Sequence, residues 1–193
     1  MHSIGLYFGS FNPVHIGHLI IANTLLEYSD LDEVWFVVSP QNPFKERGEL
    51  LADAERLAMV QMSLADNPRL KASDIEFHLP LPSYTIHTLQ ALGQQHPDTQ
   101  FSILMGSDNL ANFTRWKDWE TIIGSHKLYV YPRPGTQSCA LASHPHVTMV
   151  PVPMLDLSST HIRAQIAQGK SVQYLVPPQA YHYIQSKQLY QQK

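Results

Sequence analysis

Apolar residues recur along this chain in short segments, at intervals typical of β-strands that alternate with helices. We predict strands at residues 4–8, 34–38, 70–77, 101–105, 127–131 and 147–152. The segment 34–38 is apolar at every position, which predicts a strand buried on both faces of a parallel sheet. The order strand, helix, strand favours right-handed crossovers. We therefore predict an α/β fold, a doubly wound parallel sheet with helices on both faces.

Segments with helical periodicity lie between and after these runs, at residues 19–28, 52–65, 86–92, 158–169 and 178–187. Asp53, Ser83 and Ser158 precede three of these segments and are predicted N-caps, because their side-chain oxygens can accept backbone N–H groups. Gly169 suits the residue just past a helix end. The alternation of strands and helices predicts a Rossmann-like arrangement, which binds ligands at the carboxyl ends of its strands.

The segment 8–18, Phe-Gly-Ser-Phe-Asn-Pro-Val-His-Ile-Gly-His, joins the first predicted strand to the first helix. Gly9 allows a phosphate to approach the backbone closely, and Pro13 stiffens the loop. His15 and His18 are three residues apart, so both imidazoles face one side of the first helical turn. This combination predicts a polyphosphate site at a helix N-terminus. Two alternatives are ordinary turn histidines and a pair of metal ligands, although no third ligand lies nearby in sequence.

Two further helix starts carry groups that suit anions. The amides of Tyr84 and Thr85 begin the third helix, where simple capping without a ligand is the competing interpretation. Ser159 and Thr160 offer hydroxyls and amides at a later helix start, and Arg163 follows one turn on.

Polar and aromatic residues also follow other predicted strands. Lys45 and Arg47 lie in the loop after the second strand, where they either reach a substrate phosphate or are solvated. Asp108 follows the fourth strand and suits ribose hydroxyls or a cation, or alternatively a helix N-cap. Of Trp116 and Trp119, one is expected in the core and the other on a flat ligand ring.

Composition narrows the class of partner. The 193 residues are 44% hydrophobic, enough for one domain with a proper core. We therefore predict a single domain over residues 1–193, with residues 188–193 as a frayed tail. The net charge is −3 and no basic run occurs, so we expect a small-molecule ligand, without nucleic acid or membrane.

Cys139 is the one cysteine, which excludes an intramolecular disulfide framework and fits a reducing compartment. We see no signal peptide and no apolar span long enough for a bilayer. A cytoplasmic protein is therefore expected, and the sequence leaves open whether it forms a homo-oligomer. Since no Ser, Cys or Lys is paired with an evident base, covalent catalysis is not indicated. Direct in-line transfer between anionic substrates, aided by imidazolium, guanidinium and amide groups, fits better.

The pattern Ser-Phe-Asn-Pro-Val-His-Ile-Gly-His at residues 10–18 resembles the signature of the nucleotidylyltransferase superfamily. The Ser-Ser-Thr-His-Ile-Arg segment at 158–163 resembles its second signature. Ser83-Tyr84-Thr85 and Trp116 resemble the bacterial nicotinate-nucleotide adenylyltransferase family, as do segments 106–108, 133–135 and 174–178. That family joins ATP to nicotinate mononucleotide with magnesium, giving nicotinate adenine dinucleotide and pyrophosphate in NAD biosynthesis.

The resemblance implies roles for individual residues of this chain. By this resemblance, the catalytic residues would be His15, His18 and Arg163, which would hold the ATP phosphates and stabilise the transition state. ATP binding involves Gly9, Ser10, Phe11, Gly106, Asp108, Arg133, Ser159 and Thr160. The mononucleotide would contact Lys45, Tyr84, Thr85, Trp116 and Lys117. The family implies no protein-held metal, since Mg²⁺ is bound mainly by substrate phosphates.

The chain departs from the family pattern at four positions. Phe8 replaces a common glycine, and Phe44 replaces a histidine. His87 stands at an acidic position, and Lys117 replaces a tyrosine. We predict that Lys117 adds a charge contact to the nicotinate carboxylate.

Alternative functions are the same reaction on nicotinamide mononucleotide, or on both mononucleotides. A transferase acting on phosphopantetheine, a non-catalytic nucleotide sensor and a histidine-based metalloenzyme are more distant alternatives.

Overall fold

The computed structural model describes residues 2–40, 50–136 and 139–191. Its strands form one six-stranded sheet in the order β3-β2-β1-β4-β5-β6, and every neighbouring pair is parallel. The strands are β1 (His2–Gly9), β2 (Glu33–Val38), β3 (Leu70–Ser73), β4 (Thr99–Gly106), β5 (Leu128–Tyr131) and β6 (Val147–Met149). The predicted α/β parallel sheet is confirmed.

Helices cover both faces of this sheet. They are α1 (Ile16–Glu27), α2 (Asp53–Leu64), α3 (Thr85–Gln95), α4 (Ser107–Ala111), α5 (Trp119–Ser125), α6 (Ser159–Ala167) and α7 (Pro178–Ser186), with 3-10 turns at Ile75–His78, Phe113–Arg115 and Ala140–Ser143. Alternate residues of β1 enter two separate cores: Tyr7 packs with α1, α2, α6 and α7, whereas Ile4 and Leu6 pack with α3, α4 and α5. The strand order reverses at β1, so a crevice opens between the carboxyl ends of β1 and β4.

The predicted strand over 70–77 is wrong in its second half. The strand ends at Ser73, and Ile75–His78 forms a 3-10 turn. The turn buries both Ile75 and Glu76. The last strand is also shorter than predicted, ending at Met149, because the prolines that follow lack an N–H for the ladder.

Two of the predicted N-caps are wrong and one is confirmed. Ala52 caps α2, while the Asp53 carboxylate binds Arg56 at 2.6 Å. Tyr84 occupies the N-cap position of α3. Ser158 caps α6, since its Oγ accepts the His161 N–H at 3.2 Å. Gly169, with φ of +70°, follows the end of α6 as predicted.

The predicted fraying of the tail is wrong for its described part. Tyr190 donates its hydroxyl to Asn12 Oδ1 at 2.9 Å, and Leu189 N–H donates to the Ile184 carbonyl at 3.0 Å. The tail stays docked because its tyrosine finds a polar partner beside an apolar surface. None of the helices in the described ranges combines the length and apolarity needed to cross a bilayer.

Candidate active site

A cavity of about 900 Å³ lies at the carboxyl ends of β1, β4 and β5. Its described lining includes every residue predicted for ATP binding or catalysis except Gly106. Those residues are Gly9, Ser10, Phe11, His15, His18, Asp108, Arg133, Ser159, Thr160 and Arg163. The tertiary structure therefore brings together four parts of the chain, which are separated by about 90, 25 and 26 residues along the sequence.

The two histidines at the start of α1 form a stacked pair. Their ring centroids are 3.6 Å apart with 19° between the planes. His18 Nδ1 accepts the backbone N–H of His15 at 3.1 Å. An accepting Nδ1 carries no proton, so the neutral His18 ring holds its proton on Nε2. That N–H is a donor suited to a phosphate oxygen.

The His15 ring is neutral in this structure, whereas the sequence led us to expect a charged imidazolium. Burial, together with the positive charge of Arg133, lowers the pKa of His15 from 6.5 to about 4. Burial disfavours the charged ring because little water reaches it. In the unliganded protein at neutral pH, His15 is therefore a neutral hydrogen-bonding group, and the cationic character of the cavity comes from its arginines.

This shift predicts a pH dependence of stability. Between pH 6.5 and 4 the unfolded chain protonates His15 while the folded chain does not, so the free energy of unfolding falls as pH falls through that window. At pH 4.5 we expect a loss of about 2–3 kcal/mol relative to pH 7 from this residue. His15→Gln has no imidazole to titrate. Urea denaturation of wild type and His15→Gln at pH 7 and pH 4.5 therefore isolates the part of the loss in unfolding free energy that His15 causes. Equal losses in wild type and His15→Gln would refute the prediction.

The start of α6 is tied to the loop that precedes α1. Ser159 Oγ donates to the Pro13 carbonyl at 2.8 Å, and an Arg163 NH group donates to the Asn12 carbonyl at 2.9 Å. Arg163 is therefore oriented by the loop while its guanidinium lines the large cavity. A guanidinium held in a fixed orientation can donate two parallel N–H groups to two oxygens of one phosphate.

The opposite wall of the cavity is formed where β4 and β5 end. Asp108 Oδ1 lies 3.6 Å from Arg133 Nε, and the Arg133 N–H donates to Ser107 Oγ at 2.9 Å. Gly106 lies beneath this pair, and a Cβ there would collide with Asp108 Oδ1 and the Arg133 side chain. Gly106 is thus required for the approach of the two charged residues, although it does not itself line the cavity.

A second, smaller cavity of about 140 Å³ adjoins the first. Phe8, Gly9 and Asn109 line both. The described lining of the small cavity also contains the predicted mononucleotide residues Tyr84, Thr85, Trp116 and Lys117.

The two tryptophans after the fourth strand, Trp116 and Trp119, contact the same phenylalanine. Trp116 lies against Phe113 with ring centroids 5.2 Å apart, and Trp119 packs on the same phenylalanine at 6.3 Å. Of the two tryptophans, Trp116 belongs to the described lining of the small cavity and Trp119 does not.

Lys117 has a specific environment. Its Nζ lies 3.1 Å from His87 Nε2 and 5.0 Å above the centre of the Tyr84 ring. The two departures from the family pattern, His87 and Lys117, thus contact each other. The predicted contributions of Lys45 and Arg47, and the replacement at Phe44, lie outside the described residues.

Three residues that sequence reasoning missed support these cavities. Arg56 is fully buried and donates to the carbonyls of Ser10, Ser39 and Leu51 at 2.6–3.1 Å. Tyr190 anchors Asn12, and Glu76 lines the small cavity. Arg56 lies in a predicted helix and Glu76 in a predicted strand, and no local sequence pattern shows that these charged side chains are buried. Partners of both lie elsewhere in the sequence.

Among the residues that the structure describes, no group of three His, Cys, Asp or Glu side chains could hold a metal ion. Asp108 is the one carboxylate in the described lining of the large cavity, and it faces Arg133.

Comparisons with known proteins agree with this geometry. Residues 6–165 match the cytidylyltransferase-like family. The chain is 50% identical over 187 residues, covering 97% of each chain, to a Cytophaga hutchinsonii protein named "Probable nicotinate-nucleotide adenylyltransferase". It is 46% identical over 189 residues, covering 97% of this chain and 98% of the relative, to a Flavobacterium johnsoniae protein of the same name.

Solved structures agree in fold. Nicotinic acid mononucleotide adenylyltransferase from Plasmodium falciparum, complexed with NaAD, superposes with a TM-score of 0.83 at 20% identity, covering 98% of both chains. The same enzyme complexed with APC gives a TM-score of 0.81 at 20% identity and the same coverage. The matched family over residues 6–165 and the full-length relatives show that the chain belongs to the nicotinate-nucleotide adenylyltransferases of the cytidylyltransferase-like family.

Proposed function

We propose that this protein transfers the adenylyl group of ATP to the 5′-phosphate of nicotinate mononucleotide. The products are nicotinate adenine dinucleotide and pyrophosphate, so the enzyme acts in NAD biosynthesis. The observation that carries this proposal is the pair of adjoining cavities that share Phe8, Gly9 and Asn109. One is large and lined by donors for a polyphosphate; the other is small, with a tryptophan and a helix N-terminus.

The chemistry requires little of the protein beyond placement and charge. A phosphate oxygen of the mononucleotide forms a bond to the α-phosphorus of ATP, and the bond from that phosphorus to the bridging oxygen of pyrophosphate breaks. The electron pair leaves with pyrophosphate. Because the attacking phosphate is ionised at neutral pH, no general base is required. We assign the donors on the phosphate oxygens to His18 Nε2, Arg163 and the amides at the start of α6.

Magnesium enters this proposal as part of the ATP substrate. The single carboxylate in the described lining of the large cavity is directed at Arg133, so phosphate oxygens are the better ligands for a hard cation. Held by these oxygens, Mg²⁺ would neutralise part of the negative charge that develops on the leaving pyrophosphate.

The small cavity supports a substrate with a carboxylate on its ring. The backbone N–H groups at the start of α3 attract an anion more strongly than a neutral carboxamide. Trp116 offers a flat apolar face for the pyridine ring, and Lys117 adds a positive charge beside it. We therefore propose a preference for nicotinate over nicotinamide mononucleotide.

Pyrophosphate release from ATP and Mg²⁺, measured in parallel with the two mononucleotides, tests this function. Strong release with the acid alone is the expected result. Comparable release with both would keep the reaction and remove the preference. Release with neither would refute the proposal and favour a nucleotide-binding protein without catalysis.

We expect Lys117→Ala to reduce the preference for the acid about three- to fivefold, measured as the ratio of kcat/KM values for the two mononucleotides. The effect is modest because Lys117 is exposed, and exposed charge pairs contribute about 1 kcal/mol or less. Lys170→Ala, a change at an exposed lysine outside both cavities, is the matched control. An unchanged ratio in Lys117→Ala would show that Lys117 does not contact the carboxylate.

A further inference from the structure

The C-terminal tail is docked on the loop that precedes α1. Leu189 and Tyr190 pack against the same apolar core as Tyr7. The hydroxyl of Tyr190 donates to Asn12 Oδ1 at 2.9 Å, across 178 positions of the sequence. Asn12 is 2% exposed, so solvent has little access to replace this hydrogen bond if the hydroxyl is removed. The tail is therefore a structural partner of the loop.

The loop and the tail both contain backbone that depends on tertiary contacts. Phe11, the residue before Asn12, has a φ of +43°, and Gln188 and Tyr190 have φ of +52° and +63°. These values lie in the left-handed region, which residues other than glycine rarely adopt. Such conformations persist only where the surrounding structure holds them. The hydrogen bond between Tyr190 and Asn12 joins the two segments, so each helps to hold the other.

Asn12 is also the residue through which Arg163 is attached to the loop. Its backbone carbonyl accepts an NH group of Arg163 at 2.9 Å, and Arg163 lines the large cavity. Its side-chain oxygen accepts the Tyr190 hydroxyl at 2.9 Å and the Leu51 N–H at 3.4 Å. The bond from Tyr190 has the better length of these two. The tail is thus connected, through one buried asparagine, to a cationic group of the phosphate site.

The Tyr190 hydroxyl stays protonated near neutral pH, as a donor must. Burial raises the pKa of Tyr190, and the positive charges of Arg163 and Arg56 offset only part of this. Desolvation disfavours the charged phenolate because little water reaches it. The hydrogen bond to Asn12 is therefore present throughout the pH range in which the enzyme would be assayed.

We infer that Tyr190 is a positioning residue for adenylyl transfer: its hydroxyl fixes Asn12, whose carbonyl holds the Arg163 guanidinium in the orientation that binds the ATP phosphates. This inference rests on the proposed function. Tyr190 lies outside the described lining of the large cavity, so it acts on the substrate through Arg163. Without the hydroxyl, the guanidinium samples other orientations, and a smaller fraction of the molecules is ready to bind ATP productively.

Tyr190→Phe keeps the packed ring and removes the donor, so the fold should be retained. We expect kcat/KM for ATP to fall about five- to tenfold, the effect of one lost buried hydrogen bond. The KM for nicotinate mononucleotide should stay within about twofold of wild type, because Tyr190, Asn12 and Arg163 all lie outside the described lining of the small cavity. A general loss of folded structure would not spare one substrate in this way.

Tyr183→Phe is the matched control. The Tyr183 hydroxyl donates to Glu55 Oε2 at 2.6 Å and joins α7 to α2, and Tyr183 lies outside the described lining of both cavities. Each variant loses one tyrosine hydroxyl from the C-terminal region, and urea denaturation measures what each loses in stability. Tyr183→Phe should keep kcat/KM for ATP within about twofold of wild type. No fall in Tyr190→Phe, or a fall of equal size in the two variants, would overturn the inference.

Calorimetry of ATP binding with Mg²⁺, in the absence of any mononucleotide, completes a double-mutant cycle with Arg163→Ala. If Tyr190 acts through Arg163, Tyr190→Phe should weaken ATP binding about fivefold in the wild-type background and less than about twofold in Arg163→Ala. Equal factors in the two backgrounds would overturn the inference.

The same cycle separates this inference from the proposed function. Coupling between Tyr190 and Arg163 without pyrophosphate release from the wild type would refute the proposed function and retain the role of Tyr190. Pyrophosphate release without coupling would refute the role of Tyr190 alone. Absence of ATP binding by the wild type would refute both.

Discussion

We expect His18→Ala to lower kcat for pyrophosphate release by about 10²–10³-fold, equivalent to about 3–4 kcal/mol of transition-state stabilisation. The reason lies in the fixed orientation of the ring. Because His18 Nδ1 accepts the His15 backbone N–H, Nε2 carries the proton and acts on charge that develops during transfer. An interaction made mainly in the transition state affects kcat more than the KM for ATP.

The matched control is His161→Ala. His161 is exposed on the first turn of α6 and lies outside the described lining of both cavities, so its removal should leave kcat within about twofold of wild type. His18→Asn tests the donor itself, because a side-chain amide N–H can replace part of the lost hydrogen bonding. If His18→Ala raised the KM for ATP and kept kcat, His18 would be a binding residue and not part of transition-state stabilisation.

We expect Arg56→Met to reduce the free energy of unfolding by about 3 kcal/mol, since about 1 kcal/mol is lost for each buried carbonyl left unpaired. Arg56 is fully buried and donates to the carbonyls of Ser10, Ser39 and Leu51. Methionine fills a similar apolar volume but donates nothing. Since Ser10 belongs to the loop before α1, kcat/KM for ATP should fall as well.

Urea denaturation measures the first effect, and pyrophosphate release measures the second. Arg56→Lys keeps the charge with fewer donors and should lose less stability than Arg56→Met. Asp53→Asn disrupts the ion pair between Arg56 and the Asp53 carboxylate, which is 46% exposed. This change should cost less than about 1 kcal/mol. A larger loss in Asp53→Asn than in Arg56→Met would contradict the assignment of stability to the carbonyls.

The strand pattern and the phosphate loop were largely predictable from local sequence. Consecutive apolar residues at 34–38 indicate a strand covered on both faces, because burial on both sides removes the need for alternation. The His15–His18 spacing predicts two rings on one helical face, and the structure stacks them. The cap at Ser158 followed from the capacity of its hydroxyl to accept a nearby amide.

The predictions from sequence were wrong at segments that contact residues far away along the chain. The strand predicted over 70–77 ends at Ser73, and in the turn that follows Glu76 accepts a hydrogen bond from Thr88 on α3. The tail at Tyr190 is docked because Asn12, near the other end of the chain, accepts its hydroxyl. No local pattern contains either partner.

The sequence by itself therefore determined the parallel α/β fold, the candidate phosphate-binding residues and the resemblance to an adenylyltransferase, since periodicity, helix capping and short motifs act within a few residues. The tertiary structure decided which groups are buried and therefore which charge state they hold. It placed neutral His15 beside Arg133, buried Arg56 under the loop, and set Glu76 against the small cavity. Desolvation depends on everything packed around a group, so these properties emerge only when the strands and helices are assembled.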